Sequence, residues 1–210
     1  MAKQACILRA QSCATHVAEA AREFHAAVAQ ADMALVIFFC SSAYDLEALA
    51  AEIRRLFIGV QVVGCTTAGE IGPAGYREHS LSGASFAASS FNAVSACIDH
   101  LQHFRMAAGQ PVAQALLQRL ESQAPQADAS NSFALLLIDG LSVREEPVTR
   151  ALQSALGGLP LAGGSAADGL NFGITHVYFE GRFYADCALL VLVSTRLPFK
   201  YVPWLLSKSR

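Results

Sequence analysis

Apolar and polar positions alternate with two periods along this 210-residue chain, and the alternation lays out its elements. A short strand at about residues 5–10 leads into a helical stretch at 15–30, where Val17, Ala20, Ala21, Phe24 and Val28 recur on one face. Residues 33–40, "MALVIFFC", form an unbroken apolar run of strand length, which predicts a central strand covered on both faces by helices, as in a parallel sheet. In "SSAYDLEALAAEIRRLF", Ser41 or Ser42 is placed to cap a helix with acids early (Asp45, Glu47) and bases late (Arg54, Arg55). Its apolar stripe is Leu46, Leu49, Ile53 and Leu56. With a following strand at 60–65, residues 33–65 read as one right-handed βαβ unit.

Beyond residue 80 the period changes to that of strands. The segments 81–89 and 91–101 are separated by almost nothing, which predicts an antiparallel hairpin and hence a mixed sheet. A helix is expected at 110–121, and the polar loop 122–132 is the best internal boundary. A shift of 100 residues brings "ALVIFF" from Ala34 over "ALLLID" from Ala134, and Gly64 and Gly69 over Gly164 and Gly169. The order strand, capped helix, strand, small-residue turn recurs without a gap. The expected fold class is therefore α/β, with mixed sheets built from two pseudo-repeated βαβ-plus-hairpin units at about 31–105 and 131–196. The second unit carries an inserted hairpin, "HVYFEGRFY", turning at Glu180-Gly181.

The turns "GCTTAGEIG" and "GGSAADGLNFG" both leave the carboxyl ends of strands, where open α/β sheets bind ligands. If the units pack about a pseudo-twofold axis, the two turns become two walls of one pocket. Composition narrows the occupant. A 53% hydrophobic content supplies a large core, while 15% charged residues and a net charge of −2 argue against nucleic acid. The sequence offers neither a signal-peptide apolar region nor a run approaching the roughly 20 residues of a membrane span, so a cytoplasmic location without a membrane partner is expected. Six cysteines without a CxxC pair read as reduced core thiols, which disfavours a zinc site or a disulfide framework.

"VVGCTTAGEIGPAGY" followed by "SLSGASFA", and later "LAGGSAADGLNFG" with "VYFEGRFY", resemble the N-terminal region of FIST domains over nearly the whole chain. "FFCSSAYDL", "GPAGYREHSLSG" and "LLLIDGLSVREEP" are most similar to members that bind haem, detect nitric oxide and act on a histidine kinase. The resemblance implies an N-terminal FIST domain at 1–200, a sensory role without catalysis, and a histidine kinase and nitric oxide as partners, with a homo-oligomer left open. Family members run on into a C-terminal FIST region, whereas this sequence ends in an atypical tail at 201–210. A pocket shared with that region is expected to be incomplete, and Trp204, Leu205 and Leu206 to be poorly buried.

A haem requires an axial donor, usually histidine, in an apolar pocket with a site for its propionates. His79, beside Arg77 and Tyr76 just after the first turn, is the leading candidate, with Gly64, Cys65, Thr66, Gly164 and Ser165 forming the two turn walls. His25, His176 and the pair His100 and His103 are alternatives, Tyr178 is a possible oxygen donor, and His16 reads as a helix-start residue. The second functional reading is a haem-free sensor of a small metabolite such as an amino acid. Its carboxylate would meet turn N–H groups and the hydroxyls of Thr66, Thr67 and Ser165, and its amino group Glu70 or Asp168. A third is an enzyme with Cys65 as nucleophile. "GGSAADG" lacks the spacing and the lysine of a phosphate loop, which disfavours nucleotides.

Overall fold

A computed structural model describes residues 5–169 and 171–201. The first half contributes β1 (Ile7–Ser12), α1 (Val17–Val28), β2 (Met33–Ser41), α2 (Leu46–Leu56), β3 (Val62–Thr67), β4 (Glu70–Gly72), β5 (Gly75–Arg77) and β6 (Leu81–Ala87). The second contributes β7 (Phe91–Ile98), α3 (Met106–Gln123), β8 (Ser132–Asp139), α4 (Glu145–Leu156), β9 (Leu161–Ala166), β10 (Val177–Phe179), β11 (Arg182–Tyr184) and β12 (Ala188–Thr195). The fold is α/β, with four α-helices and mixed sheets among the described residues. The tail residues 202–210, including Trp204, Leu205 and Leu206, lie outside the described part.

Two sheets stack face to face between two helical layers. The first has the order β1-β6-β2-β3-β10-β11 and the second β7-β12-β8-β9, so their first four places repeat one plan. In each, the pairs β2/β3 and β8/β9 are parallel and the remaining neighbours antiparallel. This arrangement explains the unbroken apolar run of β2. Val36, Phe38 and Cys40 pack against α1 and α2, whose Phe24, Leu49 and Ile53 are fully buried, while Leu35 and Ile37 face the second sheet. The expectation of helices on both faces is corrected: the inner face is covered by β12, whose Leu189, Val191 and Val193 meet it, while Leu190 and Leu192 turn to α3 and α4. Each such side chain taken out of water contributes about 1.5–3 kcal/mol, which is why both faces of these strands are apolar.

The expected hairpin at 81–101 does not form. β6 pairs with β1 and β2, β7 pairs with β12, and residues 88–90 carry the chain from one sheet to the other. Both strands bury one face in the same inter-sheet core, where the Phe86 and Phe91 rings meet edge-on at 5.2 Å. The topological unit accordingly begins at β1 and at β7, ahead of the apolar runs at 33 and 133. The loop after α3 joins two elements that pack on the same sheet. At α2 the cap is Asp45, whose side chain accepts the Ala48 N–H at 3.0 Å, and not Ser41 or Ser42; Ser41 Oγ instead holds the Ala43 N–H in a tight turn. The hairpin at Glu180-Gly181 is present, both residues having positive φ, but β10 pairs with β3, so the second half lends it to the first sheet.

Candidate functional site

The two small-residue turns meet. β3 ends at Thr66 and Thr67, and the fully buried Thr66 is the junction. Its N–H donates to His176 O at 3.0 Å, its hydroxyl accepts the His176 N–H at 3.1 Å, and its carbonyl accepts the Ala167 N–H at 2.9 Å. Together with a longer bond from the Thr66 hydroxyl to His176 O at 3.5 Å, these tie the first turn to the loop after β9.

Beside this junction, between the inner faces of the sheets, lies an open cleft of about 590 Å³. Ile37, Phe39, Val63 and Cys65 line it from β2 and β3, Ser82, Ala84 and Phe86 from β6, and Arg9 from β1. Opposite stand Leu135 and Leu137 of β8 with Gly163, Gly164 and Ser165 of β9, and Ile71 and Pro73 of the β4–β5 hairpin also line it. The lining is overwhelmingly apolar. Arg9 is its one charged side chain and makes no hydrogen bond or ion pair among the described residues.

The register explains which turn residues reach the cleft. β2 pairs Phe38 with Gly64, whereas β8 pairs Leu137 with Gly164, one residue out of step with the 100-residue shift. A one-residue offset exchanges the faces of a strand. Cys65 therefore points into the inter-sheet space, while Ser165, its sequence counterpart, directs its hydroxyl to Glu145 on α4 at 3.2 Å. Gly64 faces the helices, where a Cβ would stand 2.5 Å from Phe38 O and 2.9 Å from its ring, so packing requires this glycine. A Cβ on Gly164 would meet nothing within 4 Å.

Other sequence candidates lie elsewhere. Tyr76 and Arg77 are exposed on β5, and the Arg77 guanidinium returns to Tyr76 O. His79 sits on the helical side of the first sheet, its ring 4.4 Å from that of Tyr44, with Nε2 buried and unpartnered among the described residues. Burial above all, and then the Glu70 carboxylate, pushes the Tyr44 phenol up. His25 packs edge-on to Phe57 in the same layer, and His16, His100 and His103 are exposed. Tyr178 is buried in the helix-side core, its phenol pushed up to about 12 by burial. His176 reaches a helix-side pocket with Arg54 and Arg182, and burial lowers its pKa.

The polar groups of the turns are already used. Glu70, 2% exposed, accepts from Thr67 Oγ1 at 2.6 Å and from Ser80 N–H and Oγ at 3.0 and 2.8 Å; burial nevertheless raises its pKa. Asp168 accepts the N–H groups of Phe172, Gly173 and Ile174, and these, Gly173 foremost, lower its pKa. Asp139, a buried carboxylate the sequence did not single out, accepts from Thr175 Oγ1, Leu141 N–H and Asp186 N–H and so ties three loops at the end of β8. Both the Glu70 and Asp168 carboxylates are thus engaged with the protein's own donors. Burial pushes the Cys65 thiol up to about 12, which leaves it neutral and a weak nucleophile.

A haem does not fit the donor set of this cleft, because no histidine or tyrosine lines it and its one thiol is held protonated. Among the described residues, no group of three or more His, Cys, Asp or Glu could hold a metal ion. No helix of the described part is long and apolar enough to cross a membrane.

The two sheets repeat one α/β plan, and their turns join beside an open inter-sheet cleft. The family model of the FIST N domain matches residues 34–202, from β2 onward, and the chain belongs to that family, a family of sensor domains in signal transduction. A comparison with curated proteins finds no match. Sequence reasoning missed Arg9, Ile37, Phe39 and Ala84 among the cleft residues, because the apolar run of β2 does not show which of its alternate side chains face the second sheet.

Proposed function

We propose that this domain senses a small, mainly apolar molecule carrying one anionic group, held between its two sheets, and that occupancy is passed to a signalling partner such as a histidine kinase. The carrying observation is the apolar cleft of about 590 Å³, in which Arg9 is the one charged side chain and is unpaired among the described residues. Its volume lies within the roughly 300–1,000 Å³ typical of ligand pockets. Polar turn groups that an amino acid would need are engaged with the protein, so the ligand is more apolar than an amino acid. Octanoate should raise the melting temperature in a concentration-dependent way, whereas alanine or glycine should not. Arg9→Gln should weaken the effect, and Ala84→Leu, which puts a larger side chain opposite Ile37, should weaken it by about tenfold or more. No octanoate shift at millimolar concentration would sink this reading.

Nitric oxide sensing through haem is the second reading, favoured by the buried, unpartnered Nε2 of His79 beside the first turn. One absorption spectrum with and without added hemin tests it. A Soret band that His79→Ala abolishes would replace the apolar-anion reading with the haem one.

A further inference from the structure

We infer that β9 is a docking edge for an extended segment of a partner protein, which adds to the second sheet as a fifth strand and lays alternate apolar side chains into the cleft. This inference shares the cleft and Arg9 with the ligand reading but starts from the backbone. In the first sheet the far side of β3 is paired by β10, through Val177 opposite Cys65 and Tyr178 opposite Gly64. Among the described residues the corresponding side of β9 has no strand, since β9 ends the order of its sheet.

The direction of the free backbone groups follows from the ladder. Ala134 N–H donates to Pro160 O, so alternation turns Ala162, Gly164 and Ala166 toward β8 and Leu161, Gly163 and Ser165 away from it. At one end Leu161 O accepts from the Tyr201 hydroxyl at 3.4 Å, and just past the other the Ala167 N–H donates to Thr66 O at 2.9 Å. Between these fixed points the outward N–H and C=O groups of Gly163 and Ser165 have no backbone partner among the described residues, and both residues are exposed. The strand, "LAGGSA", also carries none of the charges or prolines by which edge strands ordinarily repel another chain.

What lies beyond the edge selects the occupant. The cleft separates β9 from the inner face of β6 and β1, where Ile7 is 41% exposed and Ala84 and Phe86 line the space. Ile71 and Pro73 of the β4–β5 hairpin line the same space, which is open to solvent. Strand addition supplies affinity through the main chain and selectivity through pockets for alternate side chains. Arg9, without a counter-charge, favours a segment with an acidic residue on the cleft side.

The test uses a fluorescent peptide of about eight residues, alternating valine and threonine with one glutamate, titrated against the folded chain by anisotropy. Two further versions carry N-methyl groups on one or the other alternate set of amides. Binding should survive methylation of one set and fall by about tenfold or more with the other, because only one edge of the peptide faces β9. Glutamate→lysine in the peptide should weaken binding, and Arg9→Glu should reverse that preference. Amide exchange at Gly163 and Ser165 should slow in the complex. Equal behaviour of the two methylated peptides, or no binding at millimolar concentration, overturns the inference. So does a dimer of the chain, found by sedimentation, that the peptide displaces, because the occupant is then a second copy. Octanoate stabilisation without peptide is read separately, so the two proposals can fail independently.

Discussion

Thr66→Val tests the junction that brings the two turns together. Valine keeps the β-branched shape but removes the hydroxyl that accepts the His176 N–H at 3.1 Å, at a position with no solvent exposure. A buried donor left without its acceptor costs about 1–3 kcal/mol. The methyl that replaces the hydroxyl returns less than about 1 kcal/mol. The expected net loss is about 1–2 kcal/mol, which for a chain of this size lowers the melting temperature by about 2–8 °C. Urea denaturation followed by circular dichroism gives the loss directly, and amide exchange at His176 shows whether it is local. Thr66→Ser serves as the control, since it retains the acceptor and should preserve His176 protection. An unchanged urea midpoint together with unchanged exchange at His176 would refute the reasoning, because the hydroxyl would then contribute nothing to the junction.

Gly64→Ala should lower stability by about 2–4 kcal/mol, as its Cβ would meet Phe38 O at 2.5 Å, whereas Gly164→Ala should stay within about 1 kcal/mol of wild type; urea midpoints compare them. The raised pKa of Glu70 contributes stability that is fully present below the ordinary value of 4.5 and is lost as pH rises through the folded value. Denaturation midpoints should therefore fall across that window, and Glu70→Gln should flatten the fall. Iodoacetamide at about pH 8 should modify the exposed Cys13 well before the buried Cys65, whose thiol is pushed up to about 12, as peptide mapping by mass spectrometry would show.

The helices, the apolar strands and the turns were legible because each is set by residues close in sequence. Leu49 and Ile53 at helical spacing located α2, and Glu180-Gly181 located a hairpin without reference to anything distant. The cap of α2 was misplaced because Ser41, Ser42 and Asp45 all have suitable side chains, and only the path of the chain chooses among them. The candidate site was legible in part. Cys65 and Gly164 face the cleft, but Ser165 turns its hydroxyl to α4, Gly64 faces the helices and His79 stands behind the first sheet. Spacing cannot reveal these faces, since a single residue of register reverses them.

Local pattern determined that this chain makes two βαβ units ending in small-residue turns, because propensity and periodicity act over a few residues. Tertiary structure alone decided that two strands joined by a three-residue turn enter different sheets, that the second half lends a hairpin to the first, and that β9 ends its sheet among the described residues. Those outcomes depend on which apolar faces cover one another, and that competition is settled between segments distant in sequence. It also left the space between the sheets, with Arg9 beside it, where the sensing proposed for this domain would take place.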